Sequence, residues 1–132
     1  METCGNRRIL VVEDDLLQCY IAKKILADKF EVVCVNNGYE AMDMLEKYEF
    51  DIVLMDINLG DPEMDGIRVM RNMRQQKRFK HTKIVAVTAH AHLREWYISE
   101  GFNELIVKPI ISETIFDIIE QMPDIGNKYC CV

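Results

Sequence analysis

Two acidic positions, a threonine and a lysine each stand directly after a short apolar run, and together they make a coherent chemical set. Asp56 closes Ile52-Val53-Leu54-Met55, and Glu13-Asp14-Asp15 closes Ile9-Leu10-Val11-Val12. Thr88 follows Ile84-Val85-Ala86-Val87, and Lys108-Pro109 follows Leu105-Ile106-Val107. Magnesium takes oxygen ligands in near-octahedral geometry and keeps several waters, so one or two carboxylates beside a substrate phosphate satisfy it. Asp14 and Asp56 suit direct ligation, with Glu13 or Asp15 reaching through water. Clustered carboxylates repel one another, and a divalent cation resolves that conflict. An aspartate can also accept a phosphoryl group as an acyl phosphate, which makes Asp56 a candidate nucleophile. Lys108 offers a compact cation and Thr88 a hydroxyl donor for phosphoryl oxygens. The set suits magnesium-assisted phosphoryl transfer onto a carboxylate.

Such chemistry requires elements that bring distant residues together. The runs at 9–12, 32–35, 52–55, 84–87 and 105–107 are rich in Val and Ile and apolar at consecutive positions. That pattern fits parallel strands covered on both faces. Between them lie helical periodicities. Leu17, Ile21 and Ile25 share a face, with Asp14 or Asp15 as cap. Asn37-Gly38 precedes Ala41, Met42 and Leu45, and Asp65-Gly66 precedes Val69, Met70 and Met73. Ala89, Leu93, Trp96 and Tyr97 form a fourth stripe, ended by Gly101. Ser112 is expected to cap a last helix carrying Ile115, Ile118, Ile119 and Met122, with Pro123 stopping it. Five strand–helix units imply an α/β doubly wound parallel sheet, whose ligands bind beyond the carboxyl ends of the strands. All the reactive residues fall at those ends.

Length and charge narrow the classes. A chain of 132 residues suits one domain, and 49% hydrophobic with 29% charged residues is ordinary for a globular protein. The net charge of −6 argues against general nucleic-acid affinity. No apolar stretch approaches membrane-spanning length and the N-terminus lacks a signal core, so a cytoplasmic protein is expected. Five cysteines without zinc-type spacing read as reduced thiols. The basic residues are concentrated: from Gly66 to Arg94 there are eight Lys or Arg and no Asp or Glu. Arg68, Arg71 and Arg74 recur every third residue, either as a solvated helix face or as a docking face for an acidic partner.

Over roughly residues 7–121 the chain resembles the receiver domain of response regulators. The resemblance rests on Ile-Leu-Val-Val-Glu13-Asp14-Asp15, Asp56-Ile-Asn58, Met64-Asp65-Gly66, Val87-Thr88-Ala89 and Val107-Lys108-Pro109, in that order. It implies a flavodoxin-like (βα)5 fold with strand order 2-1-3-4-5, flanked by tails at 1–6 and 122–132. It further implies phosphorylation of Asp56 by a phosphohistidine donor, from a histidine kinase or a histidine phosphotransfer protein. Asp14, Asp56 and the main-chain carbonyl of Asn58 would ligate Mg2+, with Glu13 in the outer acidic pair. Thr88 and Lys108 would contact the phosphoryl group, and the bond before Pro109 is often cis. His90 would tune access of the hydrolytic water, against a plain surface role. Two departures stand out. Leu105 occupies the position where many receivers carry an inward-swinging aromatic residue, and the loop between Asp56 and Asp65 is one residue longer than the common form. The expected protein is a stand-alone receiver, not a turnover enzyme, that switches binding of an unspecified output partner or relays its phosphate. A receiver-like docking module that takes no phosphate is one alternative. A haloacid-dehalogenase-type phosphatase is another, although that class places its nucleophile after the first strand.

Overall fold

The computed structural model describes residues 7–121. Among them, five strands and five α-helices alternate in order: β1 (Arg7–Val12), α1 (Leu16–Leu26), β2 (Phe30–Val35), α2 (Gly38–Lys47), β3 (Ile52–Asp56), α3 (Gly66–Arg74), β4 (Lys83–Thr88), α4 (Arg94–Glu100), β5 (Glu104–Val107) and α5 (Ser112–Glu120). All strand pairs are parallel and the sheet order is β2-β1-β3-β4-β5. The order reverses at β1 and β3, where Val12 pairs with Met55, so the residues that follow both strands open into one crevice.

Alternate strand residues face opposite layers, and the packing shows it. Leu10, Val12, Val53, Met55, Ile84 and Ala86 meet Ala41, Leu45, Val69, Met70, Met73 and Tyr97, which come from α2, α3 and α4. Ile9, Val11, Ile52, Leu54, Val85 and Ile106 meet Ala22, Leu26, Ile115 and Ile119, which come from α1 and α5. Both faces being covered accounts for the consecutive apolar runs.

Caps define where the helices begin. Asp15 Oδ1 accepts from the main-chain N–H groups of Leu17 and Gln18, Asn37 Oδ1 from Glu40, and Asp65 Oδ1 from Arg68. Gly101 ends α4 at φ 135°, a conformation that L side chains rarely adopt.

Three helical expectations need correction. The buried face of α1 is Cys19, Ala22 and Leu26; Ile21 and Ile25 are half-buried and Leu17 is 64% exposed. The Asp15 cap fixes where this helix starts, and the face that meets the sheet is the one bearing Cys19, Ala22 and Leu26. The stripe from Ala89 to Tyr97 is interrupted by a 3-10 turn over Ala91–Leu93, so α4 begins only at Arg94, and of that stripe only Tyr97 is buried. Ser112 is the first residue of α5, which has no side-chain cap. Met122 and Pro123 lie outside the described residues.

Candidate functional site

The sheet ladder continues past the strand ends and holds the reactive residues directly. Glu13 N–H donates to the Val35 carbonyl at 3.0 Å, Ile57 N–H to Val87 at 3.1 Å, and Lys108 N–H to Thr88 at 2.9 Å. These bonds fix the main chain of Glu13, Asp56 and Lys108 on a rigid support.

Asp56 is 2% exposed, and both carboxylate oxygens are engaged. Oδ1 accepts from the Asn58 N–H at 3.1 Å and Oδ2 from Lys108 Nζ at 2.9 Å. Lys108 Nζ also lies 3.5 Å from Glu13 Oε1, while Glu13 Oε2 accepts from the Asp15 N–H at 3.2 Å. Oxygens of Glu13, Asp14 and Asp56 fall within 4.8 Å of one another, with Asp14 exposed and the other two buried. They line an open cleft of about 460 Å3, completed by Asp15, Gln18, Asn58, Lys108 and Pro109. The Lys108–Pro109 bond is cis.

The charges are unevenly matched. Burial, together with a hydrogen bond to Asp56 and its negative charge, pushes the Glu13 carboxyl up to about 8, against the weaker pull of the Asp15 N–H and of Lys108. Burial draws the Lys108 ammonium down, but the hydrogen bond and charge of Asp56, with Glu13 behind, hold it above the ordinary lysine value. Lys108 therefore contacts two of the three clustered acids, and Asp14 stands outside these ion pairs. An oxygen-only donor set with surplus negative charge and an open mouth fits a small hard divalent cation that retains water.

The loop after β3 is shaped to this cleft. Gly66 N–H donates to the Ile57 carbonyl at 3.1 Å and closes the loop's ends. A Cβ at Gly66 would run into the Asp56 carbonyl oxygen, so only glycine lets α3 approach β3 so closely. Gly60 sits at φ 80°, and its N–H donates to Asn58 Oδ1 at 3.1 Å. The Asn58 side-chain oxygen is thus occupied by the turn.

Not every expected residue lines the cleft. Thr88 is 5% exposed at the end of β4, and its Oγ1 accepts from the His90 N–H at 3.3 Å. His90 is exposed, with its ring 5.8 Å from that of His92. Leu105 is buried beside Tyr97 and Phe102 on the α2–α4 side of the sheet, paired with Ala86. Gln18, which lines the cleft, was not expected; its place one helical turn after the acids is the signal that could have found it.

A family model for the response regulator receiver domain matches residues 9–120. The chain belongs to the response-regulator receiver family. As such it is a phosphoryl-accepting module of two-component signalling. Chemotaxis protein CheY-3 of Vibrio cholerae is 33% identical to this receiver over 122 residues, spanning 89% of this chain and 92% of that protein. Signal transduction histidine-protein kinase BarA of Shigella flexneri is 29% identical over 114 residues, 84% of this chain but only 12% of the kinase. The receiver domain of sensor histidine kinase PA1611 from Pseudomonas aeruginosa PAO1 was solved with a magnesium ion coordinated in its active site cleft. It matches this receiver with a TM-score of 0.78 at 26% identity, covering 89% of this chain and 98% of that one.

The basic stretch has a different outcome from a uniform helix face. Arg71 pairs with Glu100. The Arg74 guanidinium donates to the carbonyls of Gly101, Phe79 and Thr82 and to Asn103 Oδ1, at 2.7 to 3.1 Å. Arg74 therefore ties α3 to the loops that enter β4 and β5. No helix among the described residues is long and apolar enough to cross a membrane.

Proposed function

We propose that Asp56 is the phosphoacceptor and that its donor is a phosphohistidine, on a histidine kinase or a histidine phosphotransfer protein. The observation that carries this reading is the setting of Asp56: buried at a strand end, bonded to Lys108 through one oxygen and to the Asn58 N–H through the other, beside two further acids. An Asp56 oxygen attacks phosphorus; a P–O bond forms, the P–N bond breaks, and the imidazole nitrogen keeps the electron pair. Asp14, Asp56 and the Asn58 carbonyl would hold Mg2+, with Glu13 reaching it through water. When bound, the ion supplies positive charge against both the carboxylates and the phosphoryl oxygens.

Lys108 steadies Asp56 before transfer and can pass to a phosphoryl oxygen afterwards. Thr88 accepts from His90 N–H, which leaves its own hydroxyl proton to donate. Leu105 is already buried, so phosphorylation is reported by apolar repacking around Thr88, Leu105 and α4 rather than by a swinging ring. His90, exposed next to this point, modulates water access to the acyl phosphate. The module acts in the cytoplasm, as a carrier or switch rather than as a turnover enzyme, and its output partner binds through α4, β5 and α5.

The test is direct. Treated with acetyl phosphate and Mg2+, or with a phosphorylated histidine kinase, the wild-type protein should gain one hydroxylamine-labile phosphoryl group by intact mass. Asp56→Asn should gain none while keeping its circular dichroism spectrum. Equal labelling of that variant would refute the acceptor assignment. Labelling that is indifferent to chelator would refute the magnesium assignment.

A further inference from the structure

The peptide between Glu13 and Asp14 must point two successive carboxylates toward one cleft while the chain turns from β1 into α1. Its carbonyl is the handle that sets the peptide plane, and two side chains from different elements hold it. The Cys19 thiol, on the first turns of α1, donates to the Glu13 carbonyl at 3.1 Å. Asn36 Nδ2, from the connection between β2 and α2, donates to the same oxygen at 3.2 Å and lies 3.6 Å from Cys19 Sγ. Each donor is itself fixed. Asn36 N–H donates to Glu40 Oε1 at 2.9 Å, next to the Asn37 cap. Cys19 N–H donates to the Asp15 carbonyl at 3.0 Å, and its side chain is buried.

We infer that Asn36 and Cys19 are positioning residues for the acidic pair, setting magnesium affinity by fixing the Glu13–Asp14 peptide. Neither touches the ion or the phosphoryl group; both act through the main chain between two acids. The inference rests on the reading of the cleft as a magnesium site. Chemistry favours a protonated sulfur here: burial, with Cys34 beside it, pushes the Cys19 thiol up to about 12, so its proton stays available to the carbonyl. Outer partners that orient metal ligands carry affinity without contacting the metal.

The experiment titrates MgCl2 into the wild-type protein and into Asn36→Ala, Cys19→Ala and Cys19→Ser, by isothermal calorimetry, with urea midpoints measured in parallel in EDTA. Asn36→Ala and Cys19→Ala should each weaken the magnesium Kd by about 10-fold, as loss of an orienting partner does. Cys19→Ser retains a donor of nearly the same reach and should stay within about 2-fold of wild type, since a hydroxyl also bonds a carbonyl. If Asn36→Ala fails to fold, the Cys19→Ala and Cys19→Ser pair decides alone. Unchanged magnesium affinity in Cys19→Ala, whatever its urea midpoint, overturns the inference, as does equal weakening in Ala and Ser. If the wild-type protein itself takes up no magnesium, the reading of the cleft fails, and the positioning role falls with it.

Discussion

Replacing Glu13 by glutamine should stabilise the metal-free protein while weakening its hold on magnesium, and the gain should grow with pH. In the folded chain the Glu13 carboxyl is raised to about 8 from an ordinary 4.5, chiefly by burial and then by Asp56. Between those values the folded state binds a proton that the unfolded state has released, so stability is greatest below pH 4.5 and falls as pH rises toward 8. The slope is about 1.4 kcal/mol per pH unit. At pH 7 the chain has crossed two and a half units of that window, which puts the penalty at about 3 kcal/mol as an upper value. Glutamine has nearly the same shape, carries no charge to bury and can donate to Asp56, so Glu13→Gln should recover most of it. Urea unfolding in EDTA from pH 5 to pH 9 measures the effect, and the difference between variant and wild type cancels the titrating groups that do not interact with Glu13. That difference should be small at pH 5, climb steadily and level off above about pH 8. A difference that is flat across the range would show that Glu13 carries no raised pKa and would remove the electrostatic account of the cleft. Added magnesium should shrink the advantage, because the ion stabilises the ionised glutamate of the wild type alone.

Lys108→Ala leaves Asp56 and Glu13 without the ammonium between them and should slow phosphorylation by acetyl phosphate on the order of 100-fold, as loss of one preorganised charge contact does; an unchanged rate in quenched-flow or mass-spectrometric time courses would contradict its role. Gly66→Ala forces a methyl group onto the Asp56 carbonyl, where main chain must give way, and should cost about 1–3 kcal/mol in urea unfolding together with slower phosphorylation. Arg74→Met strips three carbonyls and Asn103 of their common donor and should cost about 2–4 kcal/mol in the same assay, with phosphorylation under native conditions unaffected. Magnesium binding at pH 7 should release up to about one proton per ion, read from calorimetry in buffers of different ionisation enthalpy, because Glu13 gives up the proton it holds.

Strands, their order of appearance and the residues that end them were legible because a sheet covered on both faces writes long apolar runs. Helix faces were less so. Of the expected stripe in α1, Leu17 is 64% exposed and Ile21 and Ile25 are half-buried, while the smaller Cys19 and Ala22 pack inward. Large apolar residues occur on more than one face of α1, so periodicity did not single out the face that packs on the sheet. Arg74 read as one of a stripe, yet its partners Gly101 and Asn103 lie 27 and 29 residues away. The same holds for Asn36, whose amide meets the Glu13 carbonyl across 23 residues. Hydrogen bonds from a side chain to a distant element leave no spacing in the sequence, and Arg74 and Asn36 share that origin.

The cleft's surplus charge persists because the sheet leaves it no mechanical escape. Acids on a flexible loop would swing apart and lower their repulsion. Here the Glu13, Ile57 and Lys108 N–H groups continue the ladder beyond β1, β3 and β5, so the neighbouring side chains are carried by hydrogen-bonded main chain of the sheet. Separation being unavailable, the repulsion is relieved only by adding positive charge: a proton at Glu13, the ammonium of Lys108, or a cation in the open mouth. The first two are already in use in the metal-free protein. If Lys108 passes from Asp56 to a phosphoryl oxygen, as proposed above, the acids lose the ammonium that now contacts Asp56 and Glu13, and demand for an external cation should rise at that step. On that proposal, acids fixed by the sheet and a lysine that changes partner would link acceptance of phosphate to the presence of the metal, with no moving loop required.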